Sequence, residues 1–189
     1  MRSAASRLIV ALDTEHLAEA VRLVKRLQGL IRYVKLGSIL FTAAGPAAIQ
    51  RLRALGCEIF LDLKFHDIPS TVEQSCRAAV RHGVAMLTVH ASGGREMLEA
   101  AVRGVRSEAR RRGGRRPRVV GVTVLTSVGT SSGGTVSARV AQLAGDAMQA
   151  GLDGVVASAR EAPMIRRRAG LACLIVCPGS LAEQWQDEL

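Results

Sequence analysis

One stretch, residues 62–71, constrains the fold and the chemistry of this chain most strongly. The mostly apolar segment before it predicts a strand over residues 58–62, and the segment after it predicts a helix over residues 71–82. Residues two apart on a strand point to the same side, so Asp62 and Lys64 should share one face. The stretch therefore predicts a carboxylate and an ammonium group side by side where a strand meets a helix.

A third ionisable group lies close by. Asp67 follows the strand end, just before Pro69, where the chain must turn into its helix. The side chains of Asp62, Lys64 and Asp67 thus gather at the carboxyl end of one strand. In chains of alternating strands and helices, ligand sites form at that end, so we expect the functional site there.

The whole chain repeats the order strand, turn, helix. We predict seven strands, over residues 7–12, 31–36, 58–62, 85–90, 118–125, 154–157 and 171–176. The main helices are predicted over residues 15–27, 45–55, 71–82, 96–110, 136–150 and 161–168, with Asp13 and Thr14 as the cap of the first. The predicted strands look buried, as the strands of a parallel sheet between helices are. They indicate an α/β fold, a parallel (β/α) TIM-type barrel with seven of its eight units readable. We predict a single domain over residues 1–189.

Lysine is rare in this basic chain. Of its 26 Lys and Arg residues, only Lys25, Lys35 and Lys64 are lysines. Arginine is effectively never deprotonated, whereas a lysine ammonium beside carboxylates can transfer a proton. Lys64 is therefore a candidate proton donor. Lys35, at the end of the second predicted strand, is a candidate for the same site, and strand-end salt bridges are the alternative role for both.

The formal net charge of +10 raises the question of nucleic-acid binding. Six arginines lie within residues 110–118, between a predicted helix and a predicted strand, which is typical of a solvated loop. The chain also has only one Trp, one Tyr and three Phe from which a base-stacking surface could be built. We therefore predict no nucleic-acid partner.

Targeting and metal signals are weak. No apolar run approaches the length of a membrane span, and the first one is too short for the core of a signal peptide, so we expect no membrane association and a cytoplasmic protein. The four cysteines, at positions 57, 76, 173 and 177, fit neither a disulfide framework nor a zinc pattern. No metal site is predicted.

Five segments, in their order and approximate spacing, resemble the orotidine 5'-phosphate decarboxylase family. Their sequences are Ala-Leu-Asp (11–13), Val-Lys-Leu-Gly (34–37), Asp-Leu-Lys-Phe-His-Asp-Ile-Pro-Ser-Thr (62–71), Val-His-Ala-Ser-Gly-Gly (89–94) and Val-Thr-Val-Leu-Thr-Ser (122–127). The pattern Asp-x-Lys-x-x-Asp also marks a wider superfamily that includes magnesium-dependent sugar-phosphate lyases. A Glu would be expected in place of Lys35 in those relatives, so Lys35 favours the decarboxylase.

The resemblance implies decarboxylation of orotidine 5'-monophosphate to UMP in de novo pyrimidine biosynthesis, without a metal or organic cofactor. It implies that Lys64 protonates the ring carbon beside Asp62, within a coupled set of charges completed by Lys35 and Asp67. Substrate binding is implied for Asp13 at the ribose hydroxyls, for Lys35 and Thr71, and for Thr126 at the pyrimidine edge. The family's usual homodimer implies that Asp67 and Thr71 act across the subunit interface.

The resemblance runs from about Leu8 to Gly179. After Pro178-Gly179 the family is expected to continue with Ile-Arg, a Gln-bearing phosphate loop and an eighth strand, whereas this chain has the polar segment 180–189. We therefore expect a chain that is C-terminally truncated relative to the family, with a divergent tail. The alternatives are an impaired or inactive barrel fragment without a phosphate grip, a magnesium-dependent sugar-phosphate lyase and a basic nucleic-acid-binding protein.

Overall fold

The computed structural model describes residues 8–124, 133–158, 160–169 and 172–175. Its strands are β1 (Ile9–Ala11), β2 (Tyr33–Gly37), β3 (Glu58–Phe65), β4 (Met86–His90), β5 (Arg118–Val122), β6 (Gly154–Ala157) and β7 (Ala172–Ile175). Its helices are α1 (Leu17–Arg26), α2 (Ser38–Arg53), α3 (Pro69–His82), α4 (Arg95–Arg111), α5 (Gly133–Gln149) and α6 (Ala162–Ala169). A 3-10 turn over Ala91–Gly93 links β4 to α4. None of these helices is both long and apolar enough to cross a bilayer.

The seven strands form one sheet in chain order, and every neighbouring pair is parallel. A helix follows each of the first six strands, so each crossover returns the chain to the same end of the sheet. The predicted parallel α/β architecture is confirmed. It brings the carboxyl ends of all seven strands to one edge, which is where the chain carries its clustered charges.

The two faces of the sheet have different packing. The large core cluster joins strand residues such as Ile59 and Leu87 to apolar side chains of the helices. A separate cluster contains only strand residues: Phe60, Met86 and Val120, with Ile9 and Val156 against them. Because strand side chains alternate, this second cluster marks the face turned away from the helices.

All six helix starts differ from the sequence prediction by at least one residue, and the starts of α1 and α2 show why. Helix α1 begins at Leu17 with His16 as its N-cap, not at residue 15 after a cap by Asp13 and Thr14. The Thr14 hydroxyl instead accepts a hydrogen bond from the His16 N–H at 3.2 Å, outside the helix. Helix α2 begins at Ser38, and residue 45, where we had placed its start, is a kink at which Gly45 has φ 59°. Gly-Pro is a helix-start signal by sequence, but here Gly45 provides a bend between two helical segments.

Most strands also differ from their predicted bounds, and the largest differences, of three residues each, are at the carboxyl ends of β3 and β5. Strand β3 continues to Phe65, three residues past the predicted end, so Lys64 belongs to the strand itself. Strand β5 ends at Val122, whereas we had extended it to residue 125. The Thr123 hydroxyl donates to the carbonyl of Val156 at 2.8 Å, which ties the chain beyond β5 to β6.

The arginine-rich segment lies at the opposite edge of the sheet. A cavity of about 410 Å³ there is bordered by Glu58 and Ala85, near the starts of β3 and β4, and by five arginines: Arg53, Arg81, Arg112, Arg115 and Arg116. Three of these arginines lie at the carboxyl ends of α2, α3 and α4, where a positive side chain offsets the negative end of the helix dipole. Arg115 and Arg116 pair with Glu58 and Asp153. These two ion pairs offset part of the local positive charge.

Helices α3 and α4 pack closely at one glycine. A Cβ atom added to Gly104 would lie 2.6 Å from the backbone oxygen of Glu73 and 3.3 Å from the Cβ of Cys76. Backbone atoms cannot move aside as a flexible side chain can. The sequence therefore needs glycine at this position for the two helices to approach.

We expect Gly104→Ala to lower the free energy of unfolding by about 1–3 kcal/mol, because the added methyl group overlaps the α3 backbone. Gly145→Ala is the matched control, since Gly145 is also within a helix and its added Cβ meets nothing within 4 Å. That control should raise the free energy of unfolding by roughly 0.5–1 kcal/mol through helix propensity. Urea unfolding of both variants measures the difference, and equal effects would contradict the packing argument.

Candidate active site

The buried carboxylate of Asp62 lies at the centre of the candidate site. The residue is 6% exposed, near the carboxyl end of β3. Its Oδ2 atom lies 3.0 Å from the Nζ of Lys64 and 3.8 Å from the Nζ of Lys35. An ionised carboxylate is costly to bury unless cations and hydrogen-bond donors surround it. Lys35 and Lys64, which were predicted to share this site, therefore supply the positive charge that offsets the cost of burying the Asp62 carboxylate.

A second carboxylate, that of Asp13 after the first strand, also contacts Lys35. The Nζ of Lys35 donates to Oδ1 of Asp13 at 3.1 Å. Lys35 pairs with Ala11 in the sheet register, so Asp13 follows β1 at the same edge. Asp13, Lys35, Asp62 and Lys64 thus form a line of alternating charge, which we call the charged network. Asp13 is its open end, because its side chain is 57% exposed whereas that of Lys35 is 14% exposed.

Lys64 has an unusual backbone conformation. Among the described residues it is the only non-glycine with a positive φ, at 51°. The pairing of β3 with β4 also shifts here: from Leu61 to Phe65 the partners advance only from Leu87 to Val89. Such a bulge bends a strand and redirects its side chains. The Lys64 side chain remains 36% exposed, so its ammonium group can meet a ligand while it contacts Asp62.

Thr88, on β4, was not among the residues predicted from sequence. It is fully buried, and its hydroxyl donates to Oδ1 of Asp62 at 3.0 Å. The same hydroxyl oxygen accepts the backbone N–H of Lys64 at 2.9 Å. One signal could have identified it: Thr88 is two residues from Met86, so a polar side chain continues an otherwise apolar inner face.

Asp67 and Thr71 are both exposed, beyond the end of β3 and in the first turn of α3. Oδ1 of Asp67 accepts the N–H of Ile68 at 2.6 Å. Within the described part of this chain, Asp67 makes no ion pair with Lys35 or Lys64, so the charged network forms without it. Asp67 and Thr71 instead border a cavity of about 380 Å³ that also includes Lys64. Thr126 lies outside the described residues.

His66 and His90, from the family-like segments 62–71 and 89–94, border the same cavity. The ring centroids of His66 and His90 are 5.2 Å apart, with the rings tilted by 43°. Partial burial lowers the pKa of His90, and the nearby His66 and Lys64 lower it further, while Asp62 acts in the opposite direction. The surroundings of His90 therefore favour a neutral ring beside Lys64.

Cysteine and metal chemistry find little support in the residues whose structure is described. No group of three or more His, Cys, Asp or Glu side chains there is arranged to hold a metal ion. Cys57 and Cys76 are free thiols. Burial, and secondarily the charge of Glu73, raises the pKa of Cys76 to about 12, which keeps it a thiol rather than a nucleophilic thiolate.

Known proteins are similar to this chain in sequence and in fold. The sequence model of the Orotidine 5'-phosphate decarboxylase / HUMPS family matches residues 6–189. The chain belongs to this family. It is 46% identical to the orotidine 5'-phosphate decarboxylase of Moorella thermoacetica over 183 residues, which cover 93% of this chain and 73% of that protein. It is 44% identical to the orotidine 5'-phosphate decarboxylase of Nitrosococcus oceani, over 92% of this chain and 75% of that protein.

Solved structures of the family agree with the fold. The orotidine 5'-phosphate decarboxylase of Lactobacillus acidophilus superposes with a TM-score of 0.81 at 34% identity, over 92% of this chain and 81% of that one. The enzyme from Methanocaldococcus jannaschii, solved with the inhibitor BMP, superposes with a TM-score of 0.76 at 20% identity, over 90% of this chain and 77% of that one. The predicted TIM-type barrel architecture is confirmed. The family match also continues past residue 179, where the resemblance in short motifs ends.

The surroundings of His90 predict a pH dependence of stability. Because its pKa is lowered by folding, the unfolded chain takes up a proton first as the pH falls below the ordinary value of 6.5. The free energy of unfolding should therefore decrease as the pH falls below about 6.5, and His90→Gln should remove part of that decrease. Urea unfolding across this range measures it. His16→Gln, at an exposed histidine on another element, is the control, and identical slopes in wild type and His90→Gln would contradict the assignment.

Proposed function

We propose that this chain decarboxylates orotidine 5'-monophosphate to UMP in pyrimidine biosynthesis. The observation that carries the proposal is the charged network itself, in which the family's Asp-x-Lys pair forms a 3.0 Å contact and Lys35 lies on the other side of Asp62. Membership of the Orotidine 5'-phosphate decarboxylase / HUMPS family and the close decarboxylase relatives support the same reaction.

The chemistry requires a cation at the reacting carbon. Loss of carbon dioxide leaves an electron pair on the pyrimidine ring carbon, with little delocalisation to stabilise it. The Lys64 ammonium can stabilise that charge and then transfer its proton to the carbon, a contribution typically of about 10²–10⁴-fold in rate. Asp62 orients Lys64, and its own negative charge disfavours the bound substrate carboxylate relative to the transition state. Because Lys64 is partly exposed, solvent can return the proton after turnover.

The open end of the charged network suits substrate binding. We assign Asp13 to the ribose hydroxyls because its carboxylate is exposed at the carboxyl end of the sheet while Lys35 holds one of its oxygens. The position of Lys35 between the two carboxylates supports its assignment to both the ribose and the reacting ring. The assignments of Thr126 to the pyrimidine edge and of Thr71 to substrate remain part of the proposal.

We also propose a homodimer in which Asp67 and Thr71 serve the neighbouring subunit. Both are exposed at the edge of the 380 Å³ cavity, and neither belongs to the charged network of its own chain. Ile68, between them, is 63% exposed, an apolar side chain that an interface would cover. A second chain placed against this surface would bring a fifth charged group toward Lys64.

We propose that the reaction needs no metal and that the enzyme is cytoplasmic. A magnesium-dependent lyase would need carboxylates free to bind the cation, but Asp62 is already held between two ammonium groups. Lys35 would repel a divalent cation from the place where the magnesium relatives are expected to carry Glu. Its ion pairs with Asp13 and Asp62 therefore favour the decarboxylase over the lyase.

The proposal is tested by following the absorbance decrease as orotidine 5'-monophosphate is converted by the purified 189-residue protein. We expect turnover with and without a chelator. Lys64→Ala should reduce kcat by at least about 10²–10⁴-fold, because it removes the proton donor. Lys25→Ala is the matched control, since Lys25 is the one lysine outside the charged network and is exposed on α1.

The other outcomes identify the alternatives. No turnover from folded wild-type protein would indicate the inactive barrel, and complete loss of activity in chelator would indicate the magnesium-dependent lyase. Unchanged kcat in Lys64→Ala would reject the assigned proton donor. Gel filtration at several protein concentrations tests the dimer, and a monomer that remains fully active would reject the shared site.

A further inference from the structure

We propose that Thr88 is a positioning residue that sets the geometry of both Lys64 and Asp62 through its single hydroxyl group. This inference rests on the proposed function for its effect on turnover, but its structural part stands on the contacts alone. Thr88 lies in the middle of β4 and has no exposed surface, so it acts through these two neighbours and not through the substrate.

The first step of the argument is the break in the β3–β4 ladder. Between Leu61 and Phe65 strand β3 advances four residues while β4 advances two, from Leu87 to Val89. Thr88 is therefore the one β4 residue that faces the segment from Asp62 to Lys64. A bulge leaves backbone groups without their regular partners. The Thr88 hydroxyl replaces one missing partner, since its oxygen accepts the Lys64 N–H at 2.9 Å.

The second step is the conformation of Lys64. A left-handed backbone is unfavourable for a non-glycine residue, so the φ of 51° at Lys64 persists only where its surroundings hold it. The hydrogen bond to Thr88 holds the amide at this point. It thereby fixes the place from which the lysine side chain extends toward Asp62.

The third step is the orientation of the carboxylate. A hydroxyl whose oxygen accepts the Lys64 N–H still has one proton to donate, and it goes to Oδ1 of Asp62 at 3.0 Å. Oδ2 is then the oxygen left for the two ammonium groups, at 3.0 Å from Lys64 and 3.8 Å from Lys35. Thr88 thus separates the roles of the two carboxylate oxygens. Without the hydroxyl, the buried carboxylate could rotate and the Lys64 amide would lose its acceptor.

The test uses two pairs of proteins. In each pair, one member has a hydroxyl group at position 88 and the other lacks it. Wild type and Thr88→Val are nearly isosteric, and Thr88→Ser and Thr88→Ala differ by one oxygen atom. In each pair we expect the member without the hydroxyl to have a kcat lower by about 100-fold, with KM within about threefold, because a misplaced proton donor affects the chemical step more than binding. Thr88→Ser should retain most of the wild-type kcat.

Hydrogen exchange of the Lys64 amide gives a readout independent of activity. We expect exchange roughly tenfold faster in Thr88→Val and Thr88→Ala than in wild type and Thr88→Ser, with the amides of the sheet core unchanged. If Thr88→Val fails to fold, the Ser and Ala pair still decides the question. In a wild-type protein that turns over, equal kcat within either pair would overturn the proposal. A Lys64 amide equally protected with and without the hydroxyl would overturn it in either case.

The two readouts also separate this proposal from the proposed function. If wild-type protein is folded but has no turnover, while the Lys64 amide is protected only in hydroxyl-bearing variants, the decarboxylase assignment fails and the positioning role of Thr88 stands. If turnover is present but insensitive to the hydroxyl, the decarboxylase stands and the role of Thr88 is rejected.

Discussion

The burial of one carboxylate, that of Asp62, determines how the site is built. A carboxylate removed from water must be surrounded by charge and hydrogen-bond donors, and it cannot find them on its own strand alone. Lys35 comes from β2, Lys64 from β3 and Thr88 from β4. A parallel sheet in chain order is the arrangement that delivers these groups to one point, because every strand ends at the same edge. The fold and the chemistry are therefore linked through Asp62.

Lys64, with its left-handed backbone, lies beyond a layer of buried apolar side chains. Phe60 and Met86 are buried two residues before Asp62 and Thr88 on the same face of their strands. The packing of that layer fixes the positions of β3 and β4 before the bulge begins. A left-handed Lys64 can then be tolerated, because its unfavourable conformation is confined to the end of a strand whose beginning is held by the core.

Sequence alone predicted the parts of the site that depend on local periodicity. The alternation of strand residues placed Asp62 and Lys64 together, and the strand-end position of Lys35 placed it in the same site. The positive φ of Lys64, the shift in register and the role of Thr88 were not predictable in this way, since each depends on how β3 meets β4. Helix α2 was misjudged for a related reason: Gly45 and Pro46 suit a helix start, and only packing turns them into a kink.

The net charge of the charged network determines how strongly its four groups together would attract a charged substrate. Asp13, Lys35, Asp62 and Lys64 carry two negative and two positive charges, which cancel. A nucleotide with a carboxylate and a phosphate therefore gains little overall attraction from these four groups, and its binding energy must come from others. In the proposed decarboxylation, the negative charge would move from a substrate carboxylate near Asp62 to a ring carbon near Lys64. A balanced network that discriminates between those two positions favours the transition state over the bound substrate, which is the condition for a faster chemical step.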